Sequence, residues 1–205
     1  AMVSYEWTDD DQLIMNIEAT TDKATVVNLT NHCYWNLKGE SAGTALDHTL
    51  YLKASHYLPT SDSLIPTGEI APVLGTPMDF TTPKVIGQDI KQEFPALIYG
   101  KGYDNCWVID NWTPGELKTI ATLSEPTSGR ILEVDSTQPA VQVYTGNWLA
   151  GCPESKSGKA YNDYDGVAIE CQGMPDAPNK PQFPSQLLLP GETYKQTIVF
   201  RFKTV

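Results

Sequence analysis

The chain has three histidines, and one of them lies in an unusually amide-rich stretch, Asn28-Leu29-Thr30-Asn31-His32-Cys33-Tyr34-Trp35-Asn36-Leu37. Read as a strand, its alternate residues take opposite faces, so Asn28, Thr30, His32 and Tyr34 share one side. A face of this kind is wrong for a core and right for the floor of a polar pocket. An imidazole placed there serves as a general acid or base, or as a satisfied structural group at a sheet edge, and residue types alone leave the two level. Glu170 is the second candidate, in Gly166-Val167-Ala168-Ile169-Glu170-Cys171-Gln172. A carboxylate inside a mostly apolar strand is desolvated, which raises its pKa toward that of a useful base. A half-exposed Glu on the wet face of an antiparallel sheet is the commoner case, and the residues alone favour it.

Two positions complete the set. Asp104, in Lys101-Gly102-Tyr103-Asp104-Asn105, stands at a glycine-led turn entering a strand from Cys106 to Ile109. Such an Asp more often caps the turn than binds a ligand. Gln142 faces away from Val141 and Val143, toward either a ligand hydroxyl or water. His48 and His56 have no neighbouring pattern and read as structural or surface groups. No nucleophile with an adjacent base and no phosphate-cradling glycine loop is present, and Asp47-His48 is too small a pair for a metal site. One imidazole and one or two carboxylates among amides and aromatics suit proton transfer on a neutral polyol, because aromatic faces stack on sugar rings while amides read hydroxyls.

The elements that must hold these residues have a period of two. Leu13, Met15, Ile17 and Ala19 alternate with polar residues, Ile14 being the exception. Tyr194, Gln196, Ile198, Phe200 and Phe202 share one face of a C-terminal strand. Residues 24–37, 117–123, 131–136, 139–145 and 166–172 also read as strands. Fifteen Gly and fifteen Pro punctuate these runs, and no long stretch has a helical apolar stripe. The expectation is an all-β, antiparallel sandwich or barrel forming a single domain over 1–205. Long irregular connections at 54–100 and 173–191 are expected to be functional or covering loops, the second too rich in proline for a helix.

A content of 40% apolar residues is ordinary for a globular chain, and no apolar run reaches the length of a membrane span. Twenty-five acidic against fourteen basic residues give a net charge of −11. Nucleic acid and anionic membrane surfaces are therefore poor partners, and a neutral ligand suits the surface better. Cys33, Cys106, Cys152 and Cys171 have no metal-like spacing and read as free thiols, most of them buried, with a lean toward a reducing, cytoplasmic compartment. Ala1 ahead of Met2 reads as a tag remnant, and no leader opens the chain.

Several segments together resemble the aldose 1-epimerase (galactose mutarotase) family. Asn28 to Leu37 is similar to its NLTNHxYFNL strand, with Trp35 for Phe, and Gly102-Tyr103-Asp104 to its GYDH turn. Gln138 to Leu149 is similar to QPGVQxYTGNFL, Glu170 to Ser185 to ETQxxPDAPNQPxFPS, and Leu189 to Tyr194 to LxPGExY. Leu64-Ile65-Pro66-Thr67-Gly68-Glu69 also matches, and the segments fall in family order. The resemblance implies an antiparallel β-sandwich of the galactose-mutarotase (supersandwich) type and interconversion of the anomers of a free monosaccharide, without cofactor or metal. It implies that His32 is the acid, Glu170 the base, and that Asp104, Gln142 and Tyr34 line the sugar pocket.

Three departures stand beside the resemblance. Asn105 replaces a family His next to Asp104, and Cys171 and Gly173 alter the ETQ stretch. Complete members also carry an N-terminal portion with further strands and sugar-binding groups. Its absence predicts poor turnover, and a homo-oligomer that covers an exposed sheet edge. The competing expectation is a non-catalytic carbohydrate-binding or interaction module of the same fold. A sugar-phosphate epimerase lacks the Arg or Lys cluster it would need.

Overall fold

Alternation in sequence becomes alternation in burial. In the computed structural model, which describes residues 1–205, Met15, Ile17 and Ala19 of β2 (Gln12–Ala19) are buried while the residues between them are half-exposed. Numbered in chain order, the strands form two large sheets and a small one. The first sheet has seven strands, in the order β1 (Met2–Trp7), β2, β15 (Tyr194–Thr204), β11 (Arg130–Ser136), β10 (Lys118–Glu125), β5 (Thr49–Leu52) and β8 (Lys84–Val85). The second has six, in the order β4 (Tyr34–Trp35), β13 (Val167–Gln172), β12 (Ala140–Tyr144), β9 (Asp104–Val108), β6 (His56–Leu58) and β7 (Ala71–Pro72). A two-stranded piece joins β14 (Leu187–Leu188) to β3 (Thr25–Val26). Every pairing is antiparallel.

The two large sheets face each other across a core of 31 buried residues. Ile17, Leu132 and Phe200 enter it from the seven-stranded sheet, and Trp107, Val143 and Ile169 from the six-stranded one. The chain is thus an antiparallel β-sandwich. No helix of the chain is long and apolar enough to cross a membrane.

Three expectations need correction. The strand expected over 24–37 breaks into β3 and β4, and residues 27–33 between them have no strand ladder. Side chains take the ladder's place: the Asn28 amide donates to Gly173 O and accepts from Gly173 N–H, at 3.2 and 2.8 Å. The Thr30 hydroxyl donates to Cys171 O at 2.8 Å. The amide-rich sequence thus follows the edge of β13 using side-chain groups rather than its own backbone. The connection at 54–100 is not bare loop, since it carries β6, β7, β8 and a six-residue helix α1 (Pro95–Gly100). Of the cysteines, Cys106 and Cys171 are buried but Cys33 and Cys152 are exposed, all four as free thiols.

Candidate active site

The outer face of the six-stranded sheet carries the site, and strand register assembles it in rows. Tyr34, Ala168, Tyr144 and Asp104 stand opposite one another across β4, β13, β12 and β9. In the next row Glu170 faces Gln142, which faces Cys106. Directly opposed residues of antiparallel strands project to the same side. Four segments far apart in sequence therefore point chemistry-bearing side chains into one cleft of about 380 Å³, lined by His32, Asp104, Gln142, Tyr144, Glu170 and Gln172 among others.

Two connections wall the cleft. Met174, Ala177 and Phe183 of the proline-rich 173–191 segment pack on Leu58, Cys106 and Ala140. This seals the Cys106 end of the Glu170 row and leaves Glu170 and Gln142 bordering the cleft beside Pro175. Thr60, Leu64 and Pro66 add a second stretch of wall, from a loop that meets the 173–191 segment where Gln182 Nε2 donates to Gly68 O at 2.8 Å.

Each candidate residue has a local reason for its position. Asp104 follows a turn that begins where α1 ends, at Lys101 in the left-handed region (φ 59°), and continues through Gly102 (φ 149°). Only glycine fits there, since a Cβ on Gly102 would lie 2.6 Å from Asn147 Oδ1. The buried Asn147 amide donates to Gly100 O and Tyr103 O, at 2.6 and 3.0 Å, and so ties the turn to the end of β12. Gln142 Nε2 then donates to Asp104 Oδ1 at 2.8 Å, which orients that carboxylate. Glu170 projects from the middle of β13 with its side chain 10% exposed, so the wet-face alternative does not hold. His32, on the ladder-free segment, is half-exposed and brings Nε2 to 3.4 Å from Glu170 Oε1. Tyr34 lies beside His32, ring centroids 5.1 Å apart, and borders an adjoining hollow rather than the cleft itself.

The electrostatics favour proton transfer. Desolvation raises the pKa of Glu170; nearby His32 opposes the rise and the Asp104 carboxylate adds to it. Desolvation likewise raises Asp104, against the hydrogen bond from Gln142 and the proximity of His32. A carboxylate whose pKa is raised is a better proton acceptor once ionised, and the two acids lie close enough to repel.

Elsewhere the histidines are structural or peripheral. Buried His48 accepts the Leu37 N–H on Nε2 at 2.9 Å and turns Nδ1 to Asp47, while His56 is exposed. Asn105 lies on the opposite, core-facing side of β9 from Asp104, in register with Val143. It is 1% exposed, and neither its Nδ2 nor its Oδ1 has a partner. The sequence reading passed over Tyr144 and Gln172. Period two would have found them, since they stand two residues beyond Gln142 and Glu170 on the same strand faces. The wall at Thr60 to Pro66 left no comparable signal, because irregular loops have no period.

Comparison with known proteins agrees with this architecture. The profile of the Aldose 1-epimerase family matches residues 1–201. Galactose mutarotase of Homo sapiens is 42% identical over 194 residues, which cover 95% of this chain and 55% of that protein. Aldose 1-epimerase of Escherichia coli K12 is 35% identical over 205 residues, covering 98% and 58%. Among solved structures, an aldose epimerase homologue from C. elegans superposes with a TM-score of 0.86 at 33% identity, covering 99% of this chain and 59% of that one. Galactose 1-epimerase from Lactobacillus acidophilus gives 0.82 at 29% identity, covering 98% and 56%. The chain therefore spans little more than half the length of the relatives it matches. With that profile over nearly every residue, and relatives this similar along almost its whole length, the chain belongs to the aldose 1-epimerase family.

Proposed function

We propose that this chain interconverts the α and β anomers of a free aldohexose such as galactose or glucose by acid–base ring opening. The observation that carries the reading is the convergence of His32 and Glu170, 3.4 Å apart, on a cleft that also holds the Gln142–Asp104 pair. Close approach suits this chemistry. The two oxygens that exchange protons, the ring oxygen and the anomeric hydroxyl, are bonded to the same carbon, so acid and base must meet rather than straddle a ring.

In the forward step the His32 imidazolium gives its proton to the ring oxygen while the Glu170 carboxylate takes the anomeric hydroxyl proton. The C1–O5 bond breaks and leaves the open-chain aldehyde. After rotation about C1–C2, neutral His32 takes the proton from the O5 hydroxyl, protonated Glu170 returns one to O1, and the ring closes as the other anomer. Asp104 and Gln142 read sugar hydroxyls, and Tyr34 backs the imidazole. Each acid or base group of this kind contributes on the order of 10²–10⁴ in rate.

The test is polarimetry of freshly dissolved α-glucose and α-galactose with this chain. Mutarotation above the buffer rate is expected, and Glu170→Gln should remove it while the chain stays folded. Sugar binding by calorimetry without any rate acceleration would instead establish the carbohydrate-binding module. An unchanged rate in Glu170→Gln would end the assignment of the base.

The remaining expectations belong to the same proposal. A single domain over 1–205 is supported by the one large core between the sheets. A reducing, cytoplasmic setting suits the exposed free thiols of Cys33 and Cys152. A homo-oligomer is supported by the free edge of β1, all six of whose residues are exposed.

A further inference from the structure

His32 is loosely held by polar contacts. Its segment has no strand ladder, and 3.4 Å from Glu170 lies beyond the ordinary length of an N–H···O bond. What surrounds the imidazole is aromatic. Its ring centroid lies 5.1 Å from that of Tyr34 and 6.3 Å from that of Tyr144, and the two tyrosine rings lie 6.1 Å apart. The three rings thus close a triangle, with interplanar angles of 53°, 71° and 64°.

Strand register explains the triangle. Tyr34 and Tyr144 flank Ala168 in one row, and the fully buried Ala168 methyl occupies little of the space between them. Tyr144 is itself anchored, since its hydroxyl accepts the Trp148 N–H at 3.1 Å. The titratable groups that face His32 from the packed elements are Glu170, Asp104, Tyr34 and Tyr144.

We propose that Tyr144, acting with Tyr34 above the small Ala168, is a positioning residue whose ring holds the His32 imidazole against Glu170. The inference rests on the acid–base reading of His32 and Glu170. A misplacement of about 1 Å of a catalytic group costs on the order of 10²-fold in rate, and a half-exposed imidazole without a good hydrogen bond is open to that loss. The ring of Tyr144 is what matters here, and its hydroxyl bond to the Trp148 N–H is a secondary support.

Two readouts test this, one of them independent of activity. The ring protons of His32, assigned with His32→Asn, are followed by proton–carbon NMR, and kcat and KM are measured by polarimetry. In Tyr144→Ala the nuclear Overhauser contacts between the His32 and Tyr34 rings should weaken as the imidazole moves, and kcat should fall on the order of 10²-fold, more than KM changes. Tyr144→Phe should keep these contacts and recover most of kcat. Ala168→Leu, which fills the floor from below, should weaken the same contacts, and it stands in if Tyr144→Ala does not fold.

Unchanged Overhauser contacts between the His32 and Tyr34 rings in Tyr144→Ala, or in Ala168→Leu where Tyr144→Ala does not fold, would overturn the proposal. So would a Tyr144→Phe variant whose KM rises as much as that of Tyr144→Ala, since the hydroxyl would then be a sugar contact. If the wild-type chain gives no polarimetric rate, it is the acid–base reading that fails, and the NMR comparison still decides whether Tyr144 holds the imidazole.

Discussion

Glu170 shows at the scale of one residue how function and stability pull apart. Its folded-state pKa is raised, chiefly by desolvation, above the ordinary value of 4.5. The folded state therefore binds that proton more tightly than the unfolded state does. This contribution to stability is intact below the ordinary value and is lost as pH rises through the folded-state pKa. Glu170→Gln removes the ionisation, so at pH 7 its melting temperature should exceed that of the wild type by a few degrees, at ~2–4 °C per kcal/mol for a chain of this size. The difference should vanish in scans below pH 4. A variant that is less stable than wild type at both pH values would show that the carboxylate is held by favourable contacts instead. Asn105 is the neutral counterpart, a buried amide with no partner on the core side of β9.

At the scale of elements, the ladder-free segment 27–33 is the weakest support of the site. Asn28 bridges it to Gly173 by two hydrogen bonds and Thr30 to Cys171 by one. Asn28→Ala removes both bridges and leaves Gly173 N–H and C=O without these partners, a loss of about 1–3 kcal/mol. Because His32 rides on this segment, polarimetry should show a fall in kcat as well. Hydrogen exchange should rise at residues 28–33 and not in β12 or β13. Unchanged exchange in that segment would mean that the aromatic triangle, not the amide bridge, fixes its path.

For the whole molecule, the unusual feature is the apolar row that runs past the cover of the second sheet. Val3, Tyr5 and Trp7 of β1 stand in register with Ile17, Met15 and Leu13, and so on the core-facing side. They nevertheless remain 44%, 62% and 62% exposed. Trp7 packs on Phe202 at 5.6 Å, which links this overhang to the core. Proteins seldom leave both an open strand edge and an apolar face uncovered. Light scattering at tens of micromolar and above should show a dimer or larger assembly. A Val3→Lys, Tyr5→Lys double variant should shift it toward monomer, and a wild type that stays monomeric throughout that range would refute the expectation.

The sequence alone determined the local periods and, through them, most of the frame. Strands β2, β10, β11, β12, β13 and β15 follow from alternation, because burial of one sheet face selects apolar residues at every second position. His32 stood out in an amide-rich stretch, Glu170 as a carboxylate in a mostly apolar strand, Asp104 at a glycine-led turn and Gln142 on the face away from Val141 and Val143. It was the family resemblance that implied their roles. Tertiary structure decided what no local pattern contains. Register across β4, β13, β12 and β9 set which residues share a row, and so brought Tyr144 beside His32 and Gln142 beside Asp104. It also replaced the expected strand at 27–33 with side-chain bridges, since Asn28 and Thr30 could satisfy the edge of β13 only once Gly173 and Cys171 had been folded against them. The sequence left desolvation of Glu170 as one of two alternatives, and packing decided between them, with its side chain only 10% exposed on the folded sheet.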